Sequence, residues 1–143
     1  MNVELKKVKY HEDMSDETSC FSAEVWVDGV RTATVENSGK GGGNDYLPVD
    51  MDRFKAFSEW CKAQPHEFDF EYEDQAIDRL LSEWEHQRWL KRVCRNKTVF
   101  RLKGDKPDTW RTVKHIYDAA VKAYMQQKYG DKIETIANEE VTA

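Results

Sequence analysis

The sequence has no long apolar run. Its apolar runs are only a few residues long, whereas a helix that crosses a membrane needs about 20 consecutive, mostly apolar residues. The N-terminal segment MNVELKKVKY has no apolar core of signal-peptide length. We therefore expect a cytoplasmic protein that has no membrane partner.

Cysteine is scarce, and its spacing does not suggest a metal site. Cys20, Cys61 and Cys94 are odd in number and widely spaced, and the sequence contains no CxxC. No group of cysteines and histidines has the spacing of a zinc site. We expect reduced, mostly buried thiols, and we predict neither a metal site nor a cofactor.

Catalytic motifs are also lacking. The sequence has no GxSxG, and no Ser or Cys stands beside a His with a third orienting group. Glu83 and His86 have the E-x-x-H spacing of di-iron bundles, but such bundles need a second copy of that motif, and the chain has none. We name no catalytic residue, and an enzyme is less favoured than the two functions given at the end of this subsection.

The composition is that of a folded domain with a polar surface. Hydrophobic residues make up 39% of the 143 residues, charged residues make up 34%, and five residues are tryptophan. A chain of this length is by default one domain, here residues 1–143. The net charge of −5 disfavours nucleic-acid binding by overall charge, although a local basic patch can still bind phosphate.

The first 47 residues are predicted to form strands. The segments VELKKVKY, CFSAEVWV and VRTATVEN are rich in β-branched and aromatic residues. Asp28 and Gly29 separate the last two segments and are the pair that a two-residue type I′ turn prefers. With such a turn, Trp26 faces Arg31 across the hairpin, which allows a cation–π contact.

Helical periodicity begins after residue 49. Asp50 is the expected cap of a first helix that ends by Gln64, because Pro65 follows. A second helix is predicted from about Tyr72 to Asn96. A third is predicted from Asp108 or Thr109 to Gly130. Its apolar stripe contains Trp110, Val113, Tyr117, Ala120, Val121 and Tyr124.

Residues 98–104 and the segment KIETIAN are the remaining predicted strands. Strands come first along the chain and most helices follow, an order typical of the α+β class. We therefore predict N-terminal antiparallel strands, three helices packed on one sheet face and a C-terminal β-α-β unit.

The second predicted helix carries two apolar stripes on opposite sides. Ile77 and Trp84 belong to the first stripe, Trp89 and Val93 belong to the second, and at 100° per residue the stripes lie about 180° apart. Either the helix breaks between them, or it is continuous and faces two different bodies. No Gly or Pro stands between the stripes, so we favour a continuous helix.

The stretch ENSGKGGGND, residues 36–45, is the first candidate site. Consecutive glycines let several backbone N–H groups point the same way and hold an anion, although the stretch matches neither the P-loop nor the GxGxxG pattern. A flexible, exposed connection is the competing interpretation. The candidate ligand-binding residues are Asn37, Ser38, Lys40, Gly41, Gly42, Gly43 and Asn44.

Charge is segregated along the chain. Residues 67–85 contain eight acids and one base, whereas residues 88–106 contain eight bases and one acid. These charges complement the dipole of the second helix, or they form an interaction surface. The candidate surface residues are Arg88, Trp89, Lys91, Arg92 and Arg95.

Three segments carry a resemblance to a known group of proteins: VENSGKGGGNDY, FRLKGDKPDTWRT and KYGDKIETIANEE. They cover about a quarter of the chain and resemble small uncharacterised proteins of phages, prophages and other mobile elements. In those proteins a hairpin leads into a Gly-Gly-Asn loop and a strand–helix–strand unit closes the chain. The resemblance implies no reaction and no catalytic residues; it implies a small accessory protein that binds a host or defence component.

Two functions therefore remain open. The first is a non-enzymatic protein that binds or inhibits a host or defence protein, with self-association as its simplest form. The second is the binding of a phosphate ligand, a nucleotide or nucleic acid, through the glycine-rich loop and the basic stretch 88–106.

Overall fold

The computed structural model describes residues 1–141. They form two compact units, one spanning Met1–Glu83 and one that begins at Trp84. Helices and two antiparallel sheets make up these units, so the predicted α+β class is confirmed. The strands divide between two sheets, where the sequence suggested a single sheet face. That residues 1–143 behave as one domain stays a prediction.

The sheet of the first unit is a meander whose strands follow one another in chain order. Its four antiparallel strands are β1 (Val3–His11), β2 (Cys20–Val27), β3 (Val30–Ser38) and β4 (Asp45–Pro48). Asp28 and Gly29 have φ values of 49° and 78°, so the predicted turn with two positive φ values is confirmed. Strand β4 was not predicted, because it is short and ends in a proline, which strands usually avoid.

Trp26 lies opposite Arg31 across the hairpin, as predicted. Its cation–π partner is nevertheless Lys6 of β1, whose ammonium nitrogen lies 4.1 Å from the ring centre. Arg31 instead forms an ion pair with Glu24 at 2.9 Å. Lys6, rather than Arg31, contacts the Trp26 ring because β1 pairs with the other edge of β2. The hairpin sequence alone does not reveal this pairing.

Helix α1 (Met51–Ala63) begins and ends where its sequence signals lie. The carboxylate of Asp50 accepts a hydrogen bond from the Arg53 backbone N–H at 3.1 Å, which caps the helix. Phe57 and Cys61 are buried. All three cysteines are free and buried, as expected. Burial raises the pKa of the Cys61 thiol to about 12 and also raises that of Cys94, so both thiols stay protonated.

Helix α2 (Tyr72–Val93) is continuous, as the absence of Gly and Pro predicted. Both of its apolar stripes contribute buried side chains: Ile77 and Leu81 near the start of the helix, and Leu90 near its end. Among the described residues, no helix is long and apolar enough to cross a membrane.

The second unit contains a three-stranded antiparallel sheet with β5 at its centre. Its elements are β5 (Thr98–Leu102), β6 (Arg111–Val113), α3 (Ala119–Tyr129), β7 (Ile133–Ile136) and α4 (Ala137–Val141). Strands β6 and β7 both pair antiparallel with β5, so they run parallel to each other on its two sides. Helix α3 connects them, and the predicted β-α-β unit is therefore formed by β6, α3 and β7 rather than by neighbouring parallel strands.

The predicted third helix was too long at its N-terminus. Residues 111–113 pair with β5 instead, and α3 starts after Asp118, whose carboxylate accepts a hydrogen bond from the Val121 N–H at 2.8 Å. Trp110 therefore lies outside the helix, and Tyr124 is 54% exposed. The single apolar stripe expected for this helix does not exist as predicted.

A buried side chain, Asn138, fixes the turn that leads from α2 into β5. Its amide oxygen accepts a hydrogen bond from the Val99 N–H at 2.8 Å, and its amide nitrogen donates to the carbonyls of Lys97 at 2.9 Å and Cys94 at 3.4 Å. Asn138 is 2% exposed. Buried backbone groups of this turn thus find their partners in one side chain.

We predict that Asn138→Ala destabilises the protein by at least about 2 kcal/mol, because three backbone groups lose their hydrogen-bond partner and each buried polar group left without one costs about 1–3 kcal/mol. Urea unfolding measures the loss. Asn96→Ala is the control, since Asn96 is exposed in the same turn, and it should change stability by less than about 0.5 kcal/mol. Equal losses in the two variants would contradict the role assigned to Asn138.

Candidate functional site

The glycine loop, residues 37–44, connects the ends of β3 and β4 and is organised around Asn37. The Asn37 amide oxygen accepts hydrogen bonds from the Thr18 hydroxyl at 2.7 Å and the Gly39 N–H at 2.9 Å. Its amide nitrogen donates to the Asn44 side chain at 3.0 Å and the Gly42 carbonyl at 3.4 Å. One buried amide therefore closes the loop on itself.

Gly39 joins this loop to the segment between β1 and β2. Its carbonyl oxygen accepts backbone hydrogen bonds from Asp16 at 2.9 Å, Glu17 at 3.0 Å and Thr18 at 3.4 Å. Its φ of 82° is one that L side chains rarely adopt. An added Cβ would also overlap the carbonyl oxygen of Met14. This position therefore requires glycine for its backbone angle and for its packing.

Carboxylates approach the glycine loop from two sides. Asp74 accepts hydrogen bonds from the Asn44 N–H at 3.3 Å and from the Tyr46 hydroxyl at 2.7 Å. Burial of Tyr46, together with this bond to Asp74, raises the pKa of the hydroxyl, which therefore stays protonated. On the other side, a Cβ built at Gly41 would lie 2.6 Å from a carboxylate oxygen of Glu17.

The structure thus brings all seven predicted loop residues together, but it uses many of their polar groups internally. The expectation of an exposed loop is wrong for Asn37 and Gly39, which are buried, whereas Lys40 and Gly42 are exposed. An anion placed here would meet the charges of Asp74 and Glu17. These contacts give the loop a structural role, and its binding of a ligand stays a prediction.

The second candidate site lies on the C-terminal part of α2 and the turn that follows. The side chains of four cations are exposed there, and none forms an ion pair with a carboxylate within residues 1–141. Together with one aromatic and one amide side chain they line a groove of about 420 Å³. We call it the cationic groove, and its residues are Trp84, Gln87, Arg88, Lys91, Arg92 and Arg95.

Trp84 is the aromatic residue of the cationic groove. The Arg88 guanidinium carbon lies 5.3 Å from the centre of its ring, within cation–π distance. The apolar spacing of α2 predicts Trp84 in an apolar stripe, whereas the structure places it beside the cations. Trp84 precedes Arg88, Lys91 and Arg92 by four, seven and eight residues. This spacing puts all four side chains on one face of a helix, and it is the sequence signal that identifies Trp84 as part of the groove.

Trp89 does not belong to the cationic groove. It is half-buried and packs against the core cluster that contains Leu90 and Val99. Its ring also stacks on His86, with 6.0 Å between the ring centres. His86 also accepts a hydrogen bond from the Trp110 indole N–H at 3.2 Å. The structure therefore packs Trp89 against the core of the second unit, whereas the four cations are exposed.

A metal-binding constellation is not found in the part of the chain that the structure describes. Within residues 1–141, no group of three or more His, Cys, Asp or Glu side chains is arranged to hold a metal ion. The chemistry that the cationic groove supplies is the recognition of negative charge, with five guanidinium N–H donors on each arginine.

We predict that Gly39→Ala destabilises the fold by more than about 2 kcal/mol, because it combines a positive φ with steric overlap. Gly42→Ala is the matched control. Gly42 has a similar φ of 85°, but an added Cβ there meets no atom within 4 Å, so backbone strain alone should cost about 1 kcal/mol. Thermal unfolding of both variants makes the comparison. A larger loss for Gly42→Ala would refute the packing argument.

Comparison with known proteins gives no match, whether with family models, curated proteins or solved structures.

Proposed function

We propose that the protein acts by binding rather than by catalysis, and that the cationic groove holds an acidic surface of a partner protein. The observation that carries this proposal is the set of four exposed cations beside Trp84 with no carboxylate paired to them within residues 1–141. The resemblance to proteins of phages and other mobile elements supports a host or defence protein as that partner.

The dipole of α2 does not account for the whole arrangement. Cations are favoured by a helix dipole only within the last turn, and α2 ends at Val93. Arg88 lies before that turn. Like charges three or four residues apart destabilise a helix by a few tenths of a kcal/mol per pair. Binding of an acidic partner offsets this repulsion and accounts for the four cations of the cationic groove.

The side chains of the groove also suit recognition of a protein. Tryptophan and arginine are enriched among the residues that contribute most to binding at protein interfaces. The cation–π contact between Arg88 and Trp84 restricts both side chains before a partner arrives. Less side-chain freedom is then lost on binding.

A phosphate ligand is the alternative occupant. Fewer cations of the stretch 88–106 are free to bind it than the sequence suggests. Within the basic stretch 88–106, Arg101 is engaged in an ion pair with Glu134 at 2.7 Å and donates to the Pro107 carbonyl at 2.6 Å. It also lies over the Trp110 ring, 4.4 Å from the ring centre. Arg101 therefore serves the fold rather than a ligand.

We predict that Arg88→Glu/Arg92→Glu weakens binding of a labelled deca-glutamate peptide by at least about tenfold, equivalent to 1.4 kcal/mol. Fluorescence anisotropy in low salt measures the affinity. The control is Lys55→Glu/Lys62→Glu, which makes the same charge change at exposed positions of α1 and should leave binding within about twofold. Circular dichroism of each variant verifies that it is folded.

A labelled single-stranded DNA of similar charge is the second probe. Binding of the peptide that depends on Arg88 and Arg92 supports a protein partner. Tighter binding of the DNA through the same two arginines would replace the proposed partner with a phosphate backbone. Equal binding of the peptide by wild type and both variants would show that the cationic groove is only solvated surface.

A further inference from the structure

The segment that precedes α2 exposes two neighbouring aromatic rings. Phe68 is 50% exposed and Phe70 is 58% exposed, and their ring centres lie 5.5 Å apart. Apolar residues exposed one at a time are ordinary on protein surfaces, whereas contiguous exposed apolar surface marks interaction sites, and two adjacent rings form such a surface. We call residues 65–71 the aromatic knuckle.

The Gln75 side chain holds the aromatic knuckle in shape. Its amide oxygen accepts hydrogen bonds from the N–H groups of Glu67 at 2.9 Å and Phe68 at 3.2 Å. Its amide nitrogen donates to the carbonyls of Phe68 at 3.0 Å and Phe70 at 2.8 Å. All four hydrogen-bonding positions of one amide are therefore spent on this short segment.

Further contacts hold the two ends of the knuckle. The Arg79 guanidinium donates to the Pro65 carbonyl, and the His66 ring meets the Tyr72 ring edge-on at 4.8 Å. A segment fixed by this many bonds presents its aromatic side chains from one backbone conformation. Such preorganisation lowers the entropy that is lost when a partner binds.

The aromatic knuckle is acidic. Glu67, Asp69 and Glu71 are exposed among its aromatic residues. It therefore offers alternating apolar and negative side chains, and the surface that fits it has aromatic and cationic side chains. The cationic groove, with Trp84 and four cations, has that chemistry.

We propose that the aromatic knuckle of one copy docks into the cationic groove of a second copy. The inference rests on the proposed function of the groove and names the occupant that the chain itself supplies. Carboxylates of the knuckle meet the arginines of the groove, and a phenylalanine ring lies against Trp84. Each buried aromatic side chain removes about 150–250 Å² from water, so the interface is small.

A small, charged interface has predictable physical behaviour. Interfaces that bury less than about 1,200 Å² are characteristic of weak, transient association. Exposed charges are screened beyond about 8 Å at 0.15 M salt but only beyond about 30 Å at 0.01 M. We therefore expect association in concentrated, low-salt solution and dissociation on dilution or on addition of salt. An external acidic partner then competes for the same groove.

Charge exchange between two variants tests this docking by sedimentation velocity in low salt. Glu67→Lys/Asp69→Lys reverses the knuckle, and Arg88→Glu/Arg92→Glu reverses the groove. Each variant alone brings like charges together and should sediment as a monomer. Mixed in equal amounts, each variant offers the surface that the other lacks, so association should return.

Two controls make the exchange specific. Lys55→Glu/Lys62→Glu alone leaves the knuckle and the groove intact and should self-associate as the wild type does, which shows that a charge change elsewhere on the surface does not dissociate the copies. Phe68→Ser/Phe70→Ser retains every charge and should still weaken self-association, which separates docking of the rings from simple charge attraction. Circular dichroism again establishes that each variant is folded.

Two results would overturn the inference: a wild type that stays monomeric in concentrated, low-salt solution, or an exchange mixture that sediments as monomers. If the groove still binds deca-glutamate through Arg88 and Arg92, the proposed function survives and only self-docking is wrong. If reversal of the groove affects neither the peptide nor self-association, the proposed function and this inference fail together.

Discussion

The need to satisfy backbone polar groups in tightly folded loops is the constraint on which this structure depends, and side-chain amides meet it. Asn37 closes the glycine loop, and Asn138 fixes the turn before β5. Gln75 does the same for the aromatic knuckle at the surface. An amide offers two acceptor positions and two donors, so one side chain can replace several bonds of regular secondary structure.

The two candidate sites differ in how they use their polar groups. In the glycine loop, the glycines allow unusual backbone angles, and the side-chain amides bond to the loop's own polar groups. The sequence predicts an anion-binding loop, but the structure shows an ordered connection beside Asp74. In the cationic groove the polar groups point outward and lack carboxylate partners among the described residues. The two candidate sites therefore differ in whether their polar groups already have partners among the described residues, not in their glycine content.

Features that depend on neighbouring residues could be predicted from the sequence, whereas features that depend on contacts between distant residues could not. The turn at Asp28, the cap at Asp50 and the continuity of α2 depend on neighbouring residues, and each was predicted correctly. Strand β6 was misinterpreted because residues 111–113 fit a helical stripe until they pair with β5. The cations of the groove were evident from charge alone. The role of Asn37 was not, because its partner Thr18 lies 19 residues away in the chain.

The strand order of the two sheets implies that their strands pair at different stages of synthesis. In the first sheet every strand pairs with the one made just before it, so the meander can form from short loops while the chain is still emerging, at little cost in loop-closure entropy. Strand β5 of the second sheet pairs quickly with β6, but its other edge waits for β7, where Phe100 meets Ile136. Until β7 has been synthesised, that edge of β5 is open to pairing with another chain, so neighbouring nascent copies can pair there in the interval between the two strands.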